Sequence, residues 1–388
     1  MQPRWKTIVV AALKFSIPAA IIAFLLWRVE PEQWEALSQQ PKNYGMLAAA
    51  LVVALAAMCI SFARWCVLVR CQGIEMTMVE AFRLGSIGFL LSFVSAGSVG
   101  GDLFKAIFLA RRRPGKRIEA VASVLVDRGA GLYGLLLLVA VTLMVTDSKG
   151  IDSAAAKLNA TTQVIETPSL DAAAPLDAAS AADSPSPTDT AENPPAGIID
   201  MQRITWATAI LVGIGTIVLS VLVLGGKGVD RLIQWAGTFP LVGPLVLKIG
   251  GPLRMFHTHP VAFVFSIVMS LGVHTMLVFS FYLIARGLYA NPPTLAEHFV
   301  IVPIALIASA LPVTPAGVGI LEAVVEALYR IVPAIKTNAS GTLVALVFEM
   351  VKVVMSIIGT VFYWTAGTEV RESLEIAEEE SHPAPATA

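Results

Sequence analysis

Two stretches of this chain put small, flexible residues and charge inside apolar surroundings, and both have the makings of an anion site. The first reads Ser95-Ala96-Gly97-Ser98-Val99-Gly100-Gly101-Asp102, followed by the apolar piece Leu103–Ala110 and by Arg111, Arg112, Arg113, Lys116 and Arg117. The second reads Pro312-Val313-Thr314-Pro315-Ala316-Gly317-Val318-Gly319 and runs into a helix carrying Glu322 and Glu326. Each break precedes a predicted helix start, at Leu103 and near Gly319. A helix N-terminus offers free N–H groups and partial positive charge, which suits a phosphate or carboxylate. Glycine lets such a group approach the backbone closely. Lys105, Arg128 and Lys352 would add full positive charge, so an anionic lipid headgroup is the natural ligand.

Plainer roles exist for the same side chains. Asp102 is placed to cap the helix at Leu103. Asp127-Arg128 opens a span, where it would pair with the Arg111 cluster at the interface. Glu349 and Lys352 are three apart on one helix and would neutralise each other, although each costs ~2.5–3.5 kcal/mol at mid-membrane. Glu322 and Glu326 share a helical face, and Glu322, next to the break, is the better site candidate. His274, inside a span, reads as packed. The substrate-binding set is therefore Gly100, Gly101, Asp102, Lys105, Asp127, Arg128, Pro315, Gly317, Gly319, Glu322, Glu349 and Lys352.

Other chemistries lack their signatures. GxxxxGK[ST] is absent, and GSVGGD alone is no phosphate loop. There is no Ser-His-Asp set, no HExxH and no CxxC, and neither a metal, a cofactor nor a catalytic residue is expected. Cys59, Cys66 and Cys71 fit neither a disulfide framework nor a zinc spacing and read as small buried residues.

The elements that must hold these residues follow from composition. The 388 residues are 56% hydrophobic and 14% charged, with net charge −1, and mean hydropathy is +0.74. A soluble domain would carry roughly 25% charged residues, so the solvent is lipid, and a nucleic-acid partner is excluded. Spans of about 20 apolar residues are predicted at Ile8–Trp27, Tyr44–Val69, Ala120–Val145, Ile204–Leu224, Val261–Ile284 and Thr342–Thr365. The first carries no small-x-small cleavage site and reads as an uncleaved span. Arg64 sits near one end of the second, placed to snorkel. Residues 147–203 hold nine acidic residues, are rich in Ala, Ser, Thr and Pro, and read as a disordered extracytoplasmic insertion. Gly225–Pro260, with Lys227, Arg231, Lys248, Arg254 and Trp235, reads as an amphipathic interfacial segment.

Charge sets the topology, since basic short loops stay cytoplasmic. A single crossing at Leu90–Ala110 would put the Arg111 cluster outside; a re-entrant dip keeps it inside. The expected fold is an all-α polytopic membrane protein with about six full spans and two re-entrant broken-helix hairpins entering from opposite faces. The runner-up has eight spans. The organisation is residues 1–146, first membrane repeat; 147–203, insertion; 204–366, second membrane repeat; and 367–388, an acidic cytoplasmic tail. Setting Gly100 on Gly317 brings Ser92 to Ser309, Ala106 to Ala323, Ala110 to Ala327 and Lys105 to Glu322. An odd number of spans per half gives inverted repeats, as in transporters.

At these breaks the chain resembles the flippase-like membrane region of lysylphosphatidylglycerol synthetases. The motifs that carry the resemblance are Gly100-Gly101-Asp102 with Lys105, Asp127-Arg128, and the Pro312-x-x-Pro315-x-Gly317-x-Gly319-x-x-Glu322 run, over roughly Ile8 to Trp364 without the insertion. Family members fused to a cytosolic aminoacyltransferase domain make aminoacylated lipid and move it between leaflets; no segment of these 388 residues reads as that domain. Lys352 stands where the family often has arginine. The resemblance implies an inner-membrane, multi-pass protein with cytoplasmic termini that binds and translocates an anionic lipid, either a phospholipid or a polyprenyl-phosphate-linked glycolipid. A separate lipid-modifying enzyme is a possible partner. The alternatives are a membrane-embedded transferase acting on lipid-linked sugars, or a non-transporting partner of such an enzyme.

Overall fold

The computed structural model describes residues 27, 31–94, 99–113, 115–145, 210–218, 220, 225, 227–240, 243–310, 314, 317–335 and 337–365, and all regular structure among them is helical. The helices are α1 (Pro31–Gln39), α2 (Tyr44–Cys71), α3 (Met78–Val94), α4 (Val99–Arg112), α5 (Arg117–Val145), α6 (Lys227–Gly237), α7 (Gly243–His257), α8 (Pro260–Leu288), α9 (Leu295–Ala310), α10 (Ile320–Ile331) and α11 (Gly341–Trp364). Residues 210–218 are also helical. Four described helices are long and apolar enough to cross a membrane, namely α2, α5, α8 and α11. These are the second, third, fifth and sixth predicted spans. The predicted span Ile8–Trp27 except Trp27 itself, the insertion, most of Ile204–Leu224, Ser95–Ser98, Pro315 and the tail lie outside the described residues.

The centre of the molecule is an antiparallel pair. Asn43 caps α2 by accepting from Met46 N at 3.1 Å, and its own N–H donates to Gly287 O at 2.9 Å. Further along, Ser280 Oγ donates to Ala50 O at 2.9 Å and Arg64 Nη1 to Ser270 Oγ at 2.8 Å. The start of α2 therefore lies beside the end of α8. Ala50, Ala54 and Ala57, all fully buried, make the stripe of small residues that lets two backbones approach in lipid.

Each broken stretch doubles back. Thr77 and Glu80 form a capping box at the start of α3, with Thr77 N donating to Glu80 Oε2 at 2.8 Å and Glu80 N to Thr77 Oγ1 at 3.2 Å. The other oxygen of Glu80 accepts from Arg112 at the end of α4. Thr294 and Glu297 build the same box at α9, at 2.6 and 3.3 Å. The other oxygen of Glu297 accepts from Ala334 N, just beyond α10, at 2.8 Å. Each hairpin thus starts and finishes at one end, and one glutamate closes its mouth. The first mouth adjoins the C-terminus of α2 and the second that of α8, so antiparallel packing puts the mouths at opposite ends. At about 1.5 Å per residue, the 17 residues of α3 and the 16 of α9 fall short of a ~30 Å hydrocarbon core.

The shift that sets Gly100 on Gly317, 317 − 100 = 217 residues, also sets Thr77 on Thr294 and Glu80 on Glu297. It carries α2 onto residues 261–288, against the observed Pro260–Leu288, and α3 onto 295–311, against Leu295–Ala310. Packing repeats as well: α3 lies on α11 and α9 lies on α5, each hairpin leaning on the long span of the other half. Two apolar cores result. One gathers Trp65, Ile74, Leu84, Ile87, Phe104 and Leu109 around the first hairpin. The other gathers Phe281, Ile301, Leu321, Val325 and Phe348 around the second. Of the cysteines, Cys66 and Cys71 are buried as expected, whereas Cys59 is exposed.

The basic residues gather at the first mouth. Arg113 Nη2 meets Glu75 Oε2 at 2.6 Å, and Lys116 Nζ donates to Gly73 O at 2.7 Å. The amphipathic segment reaches the same end, where Gln72 Nε2 donates to Pro252 O of α7 at 3.1 Å. On that segment Trp235 is exposed beside Phe239, and Arg254 pairs with Asp230 at 2.6 Å.

Candidate functional site

The structure corrects the local reading of the first break. Helix α4 begins at Val99, so Gly100, Gly101 and Asp102 lie in its first turn rather than in the loop before it. The two glycines look like a breaker, yet they serve a crossing: a Cβ on Gly101 would sit 2.2 Å from Gly88 O of α3. Only a bare backbone fits there. Asp102 is accordingly not a cap at Leu103. Its Oδ1 lies 3.5 Å from Lys105 Nζ, and its Oδ2 accepts from Arg128 Nε of α5. A carboxylate in a first turn also gains from the helix dipole. Lys105 Nζ stands 5.1 Å from the centroid of the Trp65 ring, in cation–π range. One carboxylate thus holds two cations. Arg128, 12 residues into α5 and roughly 17 Å along it, has a side chain 48% exposed, while those of Asp102 and Lys105 are 19% and 14% exposed.

Asp127 departs from its expected role. It does not pair with the Arg111 cluster; its Oδ1 accepts from Arg64 Nε at 2.8 Å. Nor does Arg64 snorkel. At 5% exposure it is buried among α2, α5 and α8, and its second bond goes to Ser270 of α8. The face of α2 carrying Arg64 is turned inward, and the ion pair fastens three spans together. His274 is packed as expected, Nδ1 donating to Ser270 O at 2.7 Å.

The second break is shaped by backbone conformation. Gly317 and Gly319 have φ of +76° and +94°, which an L side chain adopts only with strain. Gly319 is the N-cap of α10, and its N–H donates to Glu322 Oε2 at 2.7 Å. Glu322 is fully buried, and its Oε1 has no hydrogen-bond partner. On α11, Glu349 Oε1 accepts from Lys352 Nζ at 2.7 Å, while the buried Glu349 Oε2 lacks a partner. Helix α10 packs on α11, and Leu321, Phe348 and Val351, the neighbours of Glu322, Glu349 and Lys352 in sequence, share one apolar core. Glu326 has a different task. It accepts from Thr342 N at 2.9 Å and from Ser340 Oγ at 3.2 Å, capping α11.

Of the twelve expected residues, Pro315 lies outside the described residues, and two sets are linked by contacts. Asp102, Lys105 and Arg128 meet beside the Gly100-Gly101 turn. Glu349 and Lys352 pair on α11, against which the helix of Glu322 packs. Asp127 belongs to the framework. Arg64, Trp65, Ser270, and the buried pair His298 and Tyr329 were not singled out from sequence. His298 Nδ1 donates to Thr294 O at 2.9 Å, so its Nε2 accepts from Tyr329 Oη at 2.8 Å, joining α9 to α10.

Residues 8–161 match the family model described as Lysylphosphatidylglycerol synthase TM region. That stretch belongs to this family. It contains the Gly100-Gly101-Asp102 turn, Lys105 and Asp127-Arg128. The Pro312–Glu322 motif of the second half falls outside the matched residues. No curated protein and no solved structure matches the chain. The match and the apolar helices together indicate an integral, multi-pass membrane protein.

Proposed function

We propose that the chain binds an anionic lipid and carries it between leaflets of the cell membrane, using two halves of inverted topology with six full crossings and two re-entrant hairpins. The carrying observation is the Asp102 carboxylate holding Lys105 and Arg128 at the inner turn of the first hairpin, partway along α5. Among the described residues two cations face this one carboxylate, and a planar guanidinium is suited to a phosphate group. An arriving headgroup joins or displaces Asp102 and takes over Arg128. The repeated capping boxes, the matching helix bounds and the oppositely placed mouths support the inverted halves. The half-to-half packing of α3 on α11 and of α9 on α5 gives a surface for one half to rock on the other. Lys105 and Glu322 line the path from opposite halves, with both termini cytoplasmic on the side of the Arg111 cluster.

The test is translocation of a labelled anionic phospholipid in proteoliposomes, with a zwitterionic lipid as control. Removing a charge-assisted contact of ~1.5–3 kcal/mol slows transport by about 10- to 100-fold, so Arg128→Ala and Lys105→Ala are expected to fall in that range while remaining folded. Wild-type rates in both variants would overturn the reading.

A further inference from the structure

The second polar group carries a chemistry that lipid binding does not use. We infer that Glu322 takes up and releases one proton as the lipid moves, with the Glu349–Lys352 pair as its fixed counterpart. This rests on the translocation reading and names what couples to it.

The geometry is that of a vacant proton position. Glu349 Oε1 accepts from Lys352 Nζ at 2.7 Å, which uses one of its oxygens. Glu322 has one oxygen on the Gly319 N–H at 2.7 Å. One oxygen of each carboxylate is left buried with no donor, and the residues themselves are 0% and 3% exposed. Two carboxylates against one ammonium leave a negative charge in a water-poor interior, which is costly. A proton on Glu322 removes that charge and gives its own unpartnered oxygen an O–H to donate. Glu322 also accepts from the N–H of Gly319, the N-cap of α10, so its charge state acts directly on that end of the break.

The other charged groups on the packed elements, Arg83 apart, have their own partners. On α9, Glu297 closes the hairpin mouth and His298 bonds Tyr329. On α10 itself, Glu326 caps α11 and meets Arg330 at 3.2 Å. Among the helices packed on α11, α2 has Arg64 on Asp127 and Arg70 on Met76 O, and α8 has His274 on Ser270 O and Arg286 on Ala290 O. Helix α3 brings Glu80, held by Arg112, and Arg83, a further cation whose Nε is buried without a hydrogen-bond partner.

Infrared difference spectroscopy on the purified chain in nanodiscs reads the proton directly. Acidification is expected to raise the carbonyl band of a protonated buried carboxyl, lost in Glu322→Gln and kept in Asp102→Asn. Should Glu322→Gln fail to fold, Glu349→Gln is the second variant, and it moves the appearance of the band to lower pH. In proteoliposomes, an imposed pH difference is expected to change the wild-type rate for an anionic phospholipid and to leave the Glu322→Gln rate flat. A band indifferent to both substitutions overturns the proposal. So does a wild-type rate indifferent to the pH difference while Arg128→Ala still slows transport, and that result leaves the lipid reading standing. Wild-type protein that moves no lipid at any pH overturns the lipid reading and the coupling together; the band then still decides whether Glu322 holds the proton.

Discussion

The two hairpins share a frame and differ in their chemistry. In both, a Thr-x-x-Glu box starts the first arm and the glutamate's second oxygen closes the returning arm. Inside that frame the first hairpin gathers one carboxylate and two cations, and the second gathers two carboxylates and one cation. The first group is open at Arg128; the second is closed around Glu322. The arms differ too. Gly88 meets Gly101 in the first, whereas the positions related by the same shift are Ala305 and Val318 in the second. The same capping box starts both first arms, while the charged residues near the two turns differ.

The largest effect expected from breaking this comparison is at Arg64. Arg64→Met leaves Asp127 buried without its cation, at a cost of ~3–5 kcal/mol, read as loss of thermal stability in nanodiscs. The second half has Phe281 and Val344 at the equivalent positions, both fully buried. The double variant Arg64→Phe/Asp127→Val is therefore expected to recover most of that loss, and a double variant no more stable than the single one would deny the equivalence. Next is Gly101→Ala, which drives a methyl onto Gly88 O and costs about 1–3 kcal/mol or more through overpacking. Gly317→Ala is expected to cost ~1–2 kcal/mol from its left-handed backbone alone, with added contact on Ser309 O at 2.7 Å. Tyr329→Phe orphans His298 Nε2 and costs ~1–3 kcal/mol, measured in the same unfolding series. The smallest stability change is at Asp102→Asn, under about 1 kcal/mol because Arg128 is half-exposed. It is nonetheless expected to tighten binding of an anionic phospholipid in native mass spectrometry, whereas Glu322→Gln is not.

Much of the architecture was legible because length and hydropathy are local. The four long described helices fall on predicted spans, and the breaks fall where glycines interrupt short apolar runs. Glu349 and Lys352 at three-residue spacing were a readable pair. The start of α4 was misjudged because Gly100-Gly101 has poor helix propensity, and the reason for those glycines is Gly88, a tertiary fact. Asp127's partner was hidden for a similar cause: pairing it with Arg64 requires knowing which faces of α2, α5 and α8 meet. The capping boxes were within reach. Thr77-x-x-Glu80 and Thr294-x-x-Glu297 stand before apolar helices in a recognisable spacing, and their 217-residue separation is stronger support for a repeat than matches among alanines.

Glycine 359 has a consequence for how the protein is made. A Cβ there would sit 2.2 Å from Ser86 O, so α11 seats itself against the bare backbone of α3. Helix α3 leaves the ribosome early, while α11 is the last described helix to be synthesised. Until then the Ser86 face of α3 has only lipid or an insertion factor to rest on. This seat on α3 therefore stays empty until α11 has been made, and a nascent chain halted before Gly341 lacks it.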